Sequence, residues 1–184
     1  MATEKTSTSS SEHRRPKRIQ FFHAADAQDL LESGAMHFKP LPPERAELNP
    51  VFAQGVKEGS VSRLLFQAEN GFSLVYSWFK SGFRLPAHSH DTDCLYYVIS
   101  GEIRYGTQVL GCGDGFFVPA HTVYGYTPGP QGVEILEFRS VSEFDIELIS
   151  APMSAWERAA HMVQSSLERW RSENPPARAS SGLG

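Results

Sequence analysis

The chain has 184 residues, 40% of them hydrophobic, which is enough for one sizeable core but not for two ordinary domains. Its net charge of -4, with no strongly basic stretch in the ordered part, gives nucleic acid no phosphate-binding surface and removes it as an expected partner. The two cysteines, Cys94 and Cys112, lack any zinc-type spacing, so a reducing, cytoplasmic setting is expected.

Residues 1–18 mix Ser, Thr, Glu, Lys and Arg without an apolar run, so neither secretion nor membrane anchoring is expected of them. The basic cluster from His13 to Arg18 reads as part of a solvated tail. Residues 19–60 form an N-terminal arm: Ala27, Leu30 and Leu31 suggest a short helical turn stopped by Gly34, and four prolines follow between 39 and 50. From 61 to 150 the character changes to β-branched and aromatic runs at 61–66, 72–79, 95–99, 103–105, 108–110, 116–118 and 133–138. Turn chemistry separates them at Asn70-Gly71, Gly82, Ser100-Gly101, 111–115 and 128–132, leaving little room for crossover helices. The expected architecture is therefore all-β, an antiparallel sandwich or jelly-roll barrel. Ser154-Ala155-Trp156-Glu157 has capping-box form, and Trp156, Ala159, Ala160, Val163, Leu167 and Trp170 recur at helical spacing, so 151–172 is expected to be an amphipathic helix. Its apolar stripe would face the barrel or a second subunit. Residues 173–184 return to tail composition and are expected to be disordered.

Within the barrel region two patterns stand out. Gly82 is followed, five residues later, by His88-Ser89-His90, and Gly101 ends the first pattern; the second runs from Gly113 to Pro119. Together these resemble the paired motifs of the cupin superfamily, small single-domain jelly-roll barrels of the type-2 class, over residues 61–139. The first family pattern reads Gly, five residues, His-x-His, three or four residues, Glu, six residues, Gly. The second reads Gly, five residues, Pro-x-Gly-x-x-His. Two of the positions that usually bind metal are changed here: Cys94 stands at the Glu and Tyr124 at the final His, while His121 takes the place of a Gly.

Two histidines at i and i+2 on a strand share a face, so His88 and His90 are expected metal ligands. Either His121, from the loop after Pro119, or Tyr124 would complete the shell. Cys94 reads equally as a thiolate ligand or redox group and as a small buried hydrophobe. Asp91 and Asp93 suit turn duty, with a carboxylate ligand or base as the alternative. Arg84, in strand parity with His88, would face inward to grip a carboxylate or else pair at the rim. Phe79, Phe83, Phe116, Phe117, Tyr96 and Tyr126 would supply an apolar wall.

The resemblance implies a metal-dependent enzyme on a small organic substrate, with one divalent ion per chain. Iron(II) is the favoured metal, with zinc, nickel or manganese as alternatives. With iron the chemistry would be dioxygenation, by analogy with ketone-cleaving cupins, and Cys94, Tyr124 and Arg84 would act beside the metal. With zinc or nickel it would be isomerisation or elimination. A non-catalytic binding module is the competing expectation, and a homodimer is expected on each of these readings.

Overall fold

The structure is a computed structural model that describes residues 18–40, 49–69, 71–149 and 152–177. The basic cluster apart from Arg18, most of both tails, and residues 41–48 of the arm lie outside the described residues. In chain order the elements are β1 (Gln28–Asp29), β2 (Met36–Phe38), α1 (Asn49–Gly59), β3 (Ser60–Ala68), β4 (Phe72–Phe79), β5 (His88–His90), β6 (Cys94–Tyr105), β7 (Gln108–Leu110), β8 (Gly115–Val118), β9 (Thr127–Arg139), β10 (Phe144–Leu148) and α2 (Met153–Ser172).

The strands form two sheets. The larger runs β1-β3-β4-β9-β6-β7, with β8 also paired to β6, and the smaller runs β2-β10-β5. All ladders are antiparallel except that of β10 with β2. Side chains from both sheets line one interior cavity, which makes the arrangement an antiparallel jelly-roll barrel. The period of two decides which residues face inward. On β6, Cys94, Tyr96 and Val98 are buried while Leu95 and Tyr97 are exposed. Register then aligns the same parity across strands: Tyr96 pairs with Glu137, and Val75 with the other side of Glu137.

Several expectations are corrected. The residues at 95–99 and 103–105 are one strand, because Ser100-Gly101 forms no turn: the register with β9 shifts on either side of it, bending β6 around the barrel. Gly101 is required at that bend. Its φ is +77°, and a Cβ there would lie 2.2 Å from the carbonyl oxygen of Gly132. Residues 128–132 likewise belong to β9. The short strand β10 was not expected, and it pairs with β5, the strand that carries the two histidines. The helical turn expected around Leu30 is instead a 3₁₀ turn at Ala24–Asp26 followed by β1, which borrows the edge of β3. Gly34 does end that turn region, at a φ of +74°.

The end of the arm also differs, for α1 is a helix that prolines upstream had disguised; Pro50 sits in its first turn, where a missing N–H costs nothing. Helix α2 lies over α1 and the end of the barrel. A Cβ on Gly55 would stand 2.8 Å from Val163, so the two helices touch where α1 has no side chain. The buried stripe of α2 is Trp156, Val163, Ser166 and Trp170. No capping box forms: the helix begins at Met153 behind Pro152, placing Ser154 inside the first turn rather than at the cap. The chain beyond α2 is packed as far as it is described. Glu173 accepts hydrogen bonds from the N–H of Ser81 at 2.8 Å and from its hydroxyl, and Ala177 N–H donates to Glu134 at 2.6 Å.

Candidate active site in the barrel

The Ser81-Gly82 turn, with Gly82 at a φ of +65°, is clasped by α2: Trp170 Nε1–H donates to Ser81 O at 3.0 Å, and Arg169 donates to the same carbonyl at 3.2 Å. From this anchored turn the chain enters β5. Ladder bonds to β10 and a reciprocal backbone bridge between His88 and Tyr124 hold β5 in place.

His88 and His90 are both buried and both line the interior cavity. His88 Nδ1 lies 2.9 Å from Pro86 O, and His90 Nδ1 lies 2.7 Å from Asp145 O. A carbonyl only accepts, so Nδ1 carries the proton in each ring and Nε2 is the free nitrogen. Burial depresses the basicity of both rings, and the Arg139 charge lowers it further; His90 is brought down to about 4. Both imidazoles are therefore neutral at pH 7.

Around them stand three tyrosines. The hydroxyls of Tyr96 and Tyr124 hydrogen-bond to each other, Tyr124 packs 4.4 Å from the His88 ring centre, and Tyr126 stacks beside Tyr124. Burial pushes all three phenols well above their ordinary pKa, so they are neutral donors. The fourth wall is an ion pair that the sequence reading did not single out. Glu137 and Arg139, on β9, meet at 2.6 Å with side chains 8% and 1% exposed. Arg139 lies 3.9 Å over the ring of Phe144. Burial opposes its charge, but the neighbouring Glu137 carboxylate outweighs that and holds the guanidinium protonated. Glu137 also accepts from Ser77 Oγ at 2.8 Å, so Ser77 in turn accepts from Ser62 Oγ at 2.9 Å.

This chamber has a volume of about 60 Å³. Leu30, Met36, Phe38, Val56, Ser60 and Ser62 line both it and an outer groove of about 770 Å³, so the two adjoin. The jelly roll turns His88-Ser89-His90 into its own interior, after Gly82 and ahead of the Gly113 to Pro119 segment that carries β8. The barrel has a cupin-type fold. No family model matches the sequence, and no curated protein does. Among solved structures the chain is similar to KdgF from a Halomonas species (25% identity over 46% of this chain and 82% of that one, TM-score 0.41). It is also similar to the polyketide cyclase RemF from Streptomyces resistomycificus (19%, 59% and 84%, TM-score 0.48). A third is an RmlC-like cupin from Shewanella frigidimarina (29%, 48% and 82%, TM-score 0.41).

The cupin interior brings together some of the expected residues and separates others. His88, His90 and Tyr124 converge on the chamber, as do Phe79, Phe83, Tyr96 and Tyr126 from the expected wall. Phe116 stacks behind Tyr96 at 4.6 Å, whereas Phe117 faces outward because it has the opposite strand parity. His121 is exposed on a turn at a φ of +61°, and its backbone N–H, not its ring, reaches His90, at 2.7 Å to the carbonyl. Its side chain is not among those lining the chamber. Arg84 is exposed, since the chain between Gly82 and β5 is not in strand conformation and parity does not carry through it. Cys94 is 1% exposed and burial pushes its thiol up to about 12, which suits the buried-hydrophobe reading. Asp91 and Asp93 cap backbone N–H groups of Asp145 and Ala120, each at 2.8 Å.

Two Nε2 atoms are available, but among the described residues no group of three or more His, Cys, Asp or Glu side chains is placed to hold an ion. Protein-held sites ordinarily need three or four donors, so these side chains by themselves do not make up one. Also among the described residues, no helix is long and apolar enough to cross a membrane.

Glu137 and Arg139 were missed, yet a signal existed. Both share the strand parity of Val133 and Ile135, so charges fall on the apolar face of β9, which is a costly position unless they are paired.

The buried imidazoles make stability depend on pH in protein freed of metal by chelation. For His90 the folded pKa near 4 lies below the ordinary 6.5 of the unfolded chain. Above 6.5 both states are neutral and nothing is lost; as pH falls from 6.5 to 4 the unfolded chain binds the extra proton and stability drops. The full loss is about 3 kcal/mol. Urea midpoints taken from pH 8 to pH 4 should fall for the native chain and much less for His90→Gln. Equal slopes for the two would contradict a buried neutral His90.

Proposed function

We propose that this cupin is an enzyme acting on a small organic substrate by proton transfer, in the isomerase or lyase class. One observation carries the reading: two neutral imidazoles with free Nε2 atoms share a chamber with a hydrogen-bonded pair of neutral tyrosine hydroxyls. An imidazole Nε2 takes a proton from the carbon beside a substrate carbonyl. The C–H electron pair moves into the carbonyl, and the oxygen that gains charge accepts a hydrogen bond from Tyr124 or Tyr96. The imidazolium then returns its proton to a different carbon, which isomerises the substrate, or to a departing group, which eliminates it. His88 is assigned as the base because its ring lies closer to Tyr124, at 4.4 Å against 6.2 Å for His90.

Deuterium incorporation from D2O into a panel of enolisable ketones and keto acids, followed by NMR, tests this. Exchange is expected for at least one, with His88→Ala and Tyr124→Phe each about 100-fold slower. A panel that shows no catalysed exchange would overturn the reading.

A second reading keeps the dioxygenase-type oxidoreductase of the ketone-cleaving class. It is favoured by the Nδ1–H bonds to backbone carbonyls, an arrangement that commonly orients metal-binding imidazoles. Substrate oxygens would have to complete the shell around the divalent ion, with iron(II) preferred over zinc, nickel or manganese. Elemental analysis of protein purified without a histidine tag separates the readings. Stoichiometric iron, lost in the His88→Ala/His90→Ala double variant and accompanied by oxygen uptake, supports the second. A homodimer belongs to both proposals, supported by exposed Leu95 and Phe117, which are register partners on the outer face.

A further inference from the structure

The guanidinium of Arg139 is buried, yet only one of its nitrogens is satisfied. Nη2 donates to Glu137, while Nε and Nη1 have no hydrogen-bond partner. A buried donor without an acceptor is costly, and folded proteins rarely leave one. The residues nearest to it offer little relief. Glu137 already accepts from Ser77 and from Nη2, and the Tyr96 and Tyr124 hydroxyls are engaged with each other. Arg139 lines the chamber, so an acceptor arriving from outside the chain reaches it there.

The shape of the space says what accompanies that acceptor. A chamber of about 60 Å³ takes a group of a few heavy atoms, whereas the adjoining groove of about 770 Å³ matches the body of a far larger ligand. The wall that chamber and groove share is mainly apolar, with Leu30, Met36, Phe38 and Val56 beside Ser60 and Ser62. Among the described residues the charged ones lining the groove are Asp29, Glu32, Lys39 and Lys57, two of each sign, so these do not select the charge of a ligand. Selection falls to the guanidinium at the bottom.

We propose that chamber and groove together bind an amphipathic carboxylic acid, with its carboxylate on Arg139 and its apolar body in the groove. This rests on the chamber being the functional site, and it names the substrate class for that site.

Isothermal titration with octanoate, octan-1-ol and octyltrimethylammonium, which share one apolar length, tests it on the native full chain. Octanoate is expected to bind at least tenfold more tightly than the alcohol, and the cation most weakly. Arg139→Lys keeps a charge beside Glu137 but loses the guanidinium. It should weaken octanoate at least tenfold and leave the alcohol unchanged, while Lys39→Ala/Lys57→Ala should alter neither. Alcohol and carboxylate binding equally would overturn the proposal, as would unchanged octanoate binding in Arg139→Lys or loss of octanoate binding in Lys39→Ala/Lys57→Ala. No binding of any probe, with deuterium exchange intact, would also overturn it while leaving the proton-transfer reading in place. The wild-type comparison of probes stands even if the Arg139 variant fails to fold.

Discussion

Arg139→Met is expected to destabilise the protein by about 3–5 kcal/mol, because it strands the Glu137 carboxylate in the interior without its counter-charge. The loss is large against the ~5–15 kcal/mol that holds a typical domain together. The pair as a unit is worth far less, since two desolvated charges repay only part of their own cost. Glu137→Leu/Arg139→Met should therefore recover most of the stability lost in the single variant. Urea unfolding of the wild type and both variants at pH 7 measures this. A single variant as stable as the wild type would mean that the carboxylate is not buried, and a double variant no better than the single would place the cost in packing against Phe144 instead.

Trp170→Ala should cost a similar ~3–5 kcal/mol, by opening a cavity where α2 meets the barrel. Trp170 is fully buried, meets Phe83 edge to face at 5.7 Å, and closes the Ser81 turn through its Nε1–H. Trp170→Phe separates the contributions. It keeps most of the ring but loses the hydrogen bond, and about 1–2 kcal/mol should follow. That turn launches β5, so the alanine variant is also expected to loosen the histidine pair, read as faster hydrogen exchange at the His88 amide. Unchanged protection there would show that the ladder with β10 holds β5 unaided.

The barrel was legible because its signals are local. Strand β4 and strand β7 are short apolar runs bounded by turns, and His88-Ser89-His90 shares a face by the period of two alone. Elements that depend on distant partners were not legible. Strand β10 is five residues with two acidic side chains, and it becomes a strand because β5 and β2 lie on either side of it. Helix α1 is similar, covered by α2 through the gap left at Gly55.

The same division runs through the site. The sequence by itself determined a jelly-roll barrel and the histidine pair inside it, since alternation and turn residues act over a few positions. Only the tertiary structure decided which charge accompanies the histidines. Arg84 lies near them in the chain but leaves the barrel, because the segment that carries it is not a strand. Arg139, some fifty residues later, is brought in by the ladder between β4, β9 and β6 and kept there by Glu137 and Phe144. Whether a buried charge is tolerated depends on partners that meet only when sheets close, and local sequence carries no record of that closure.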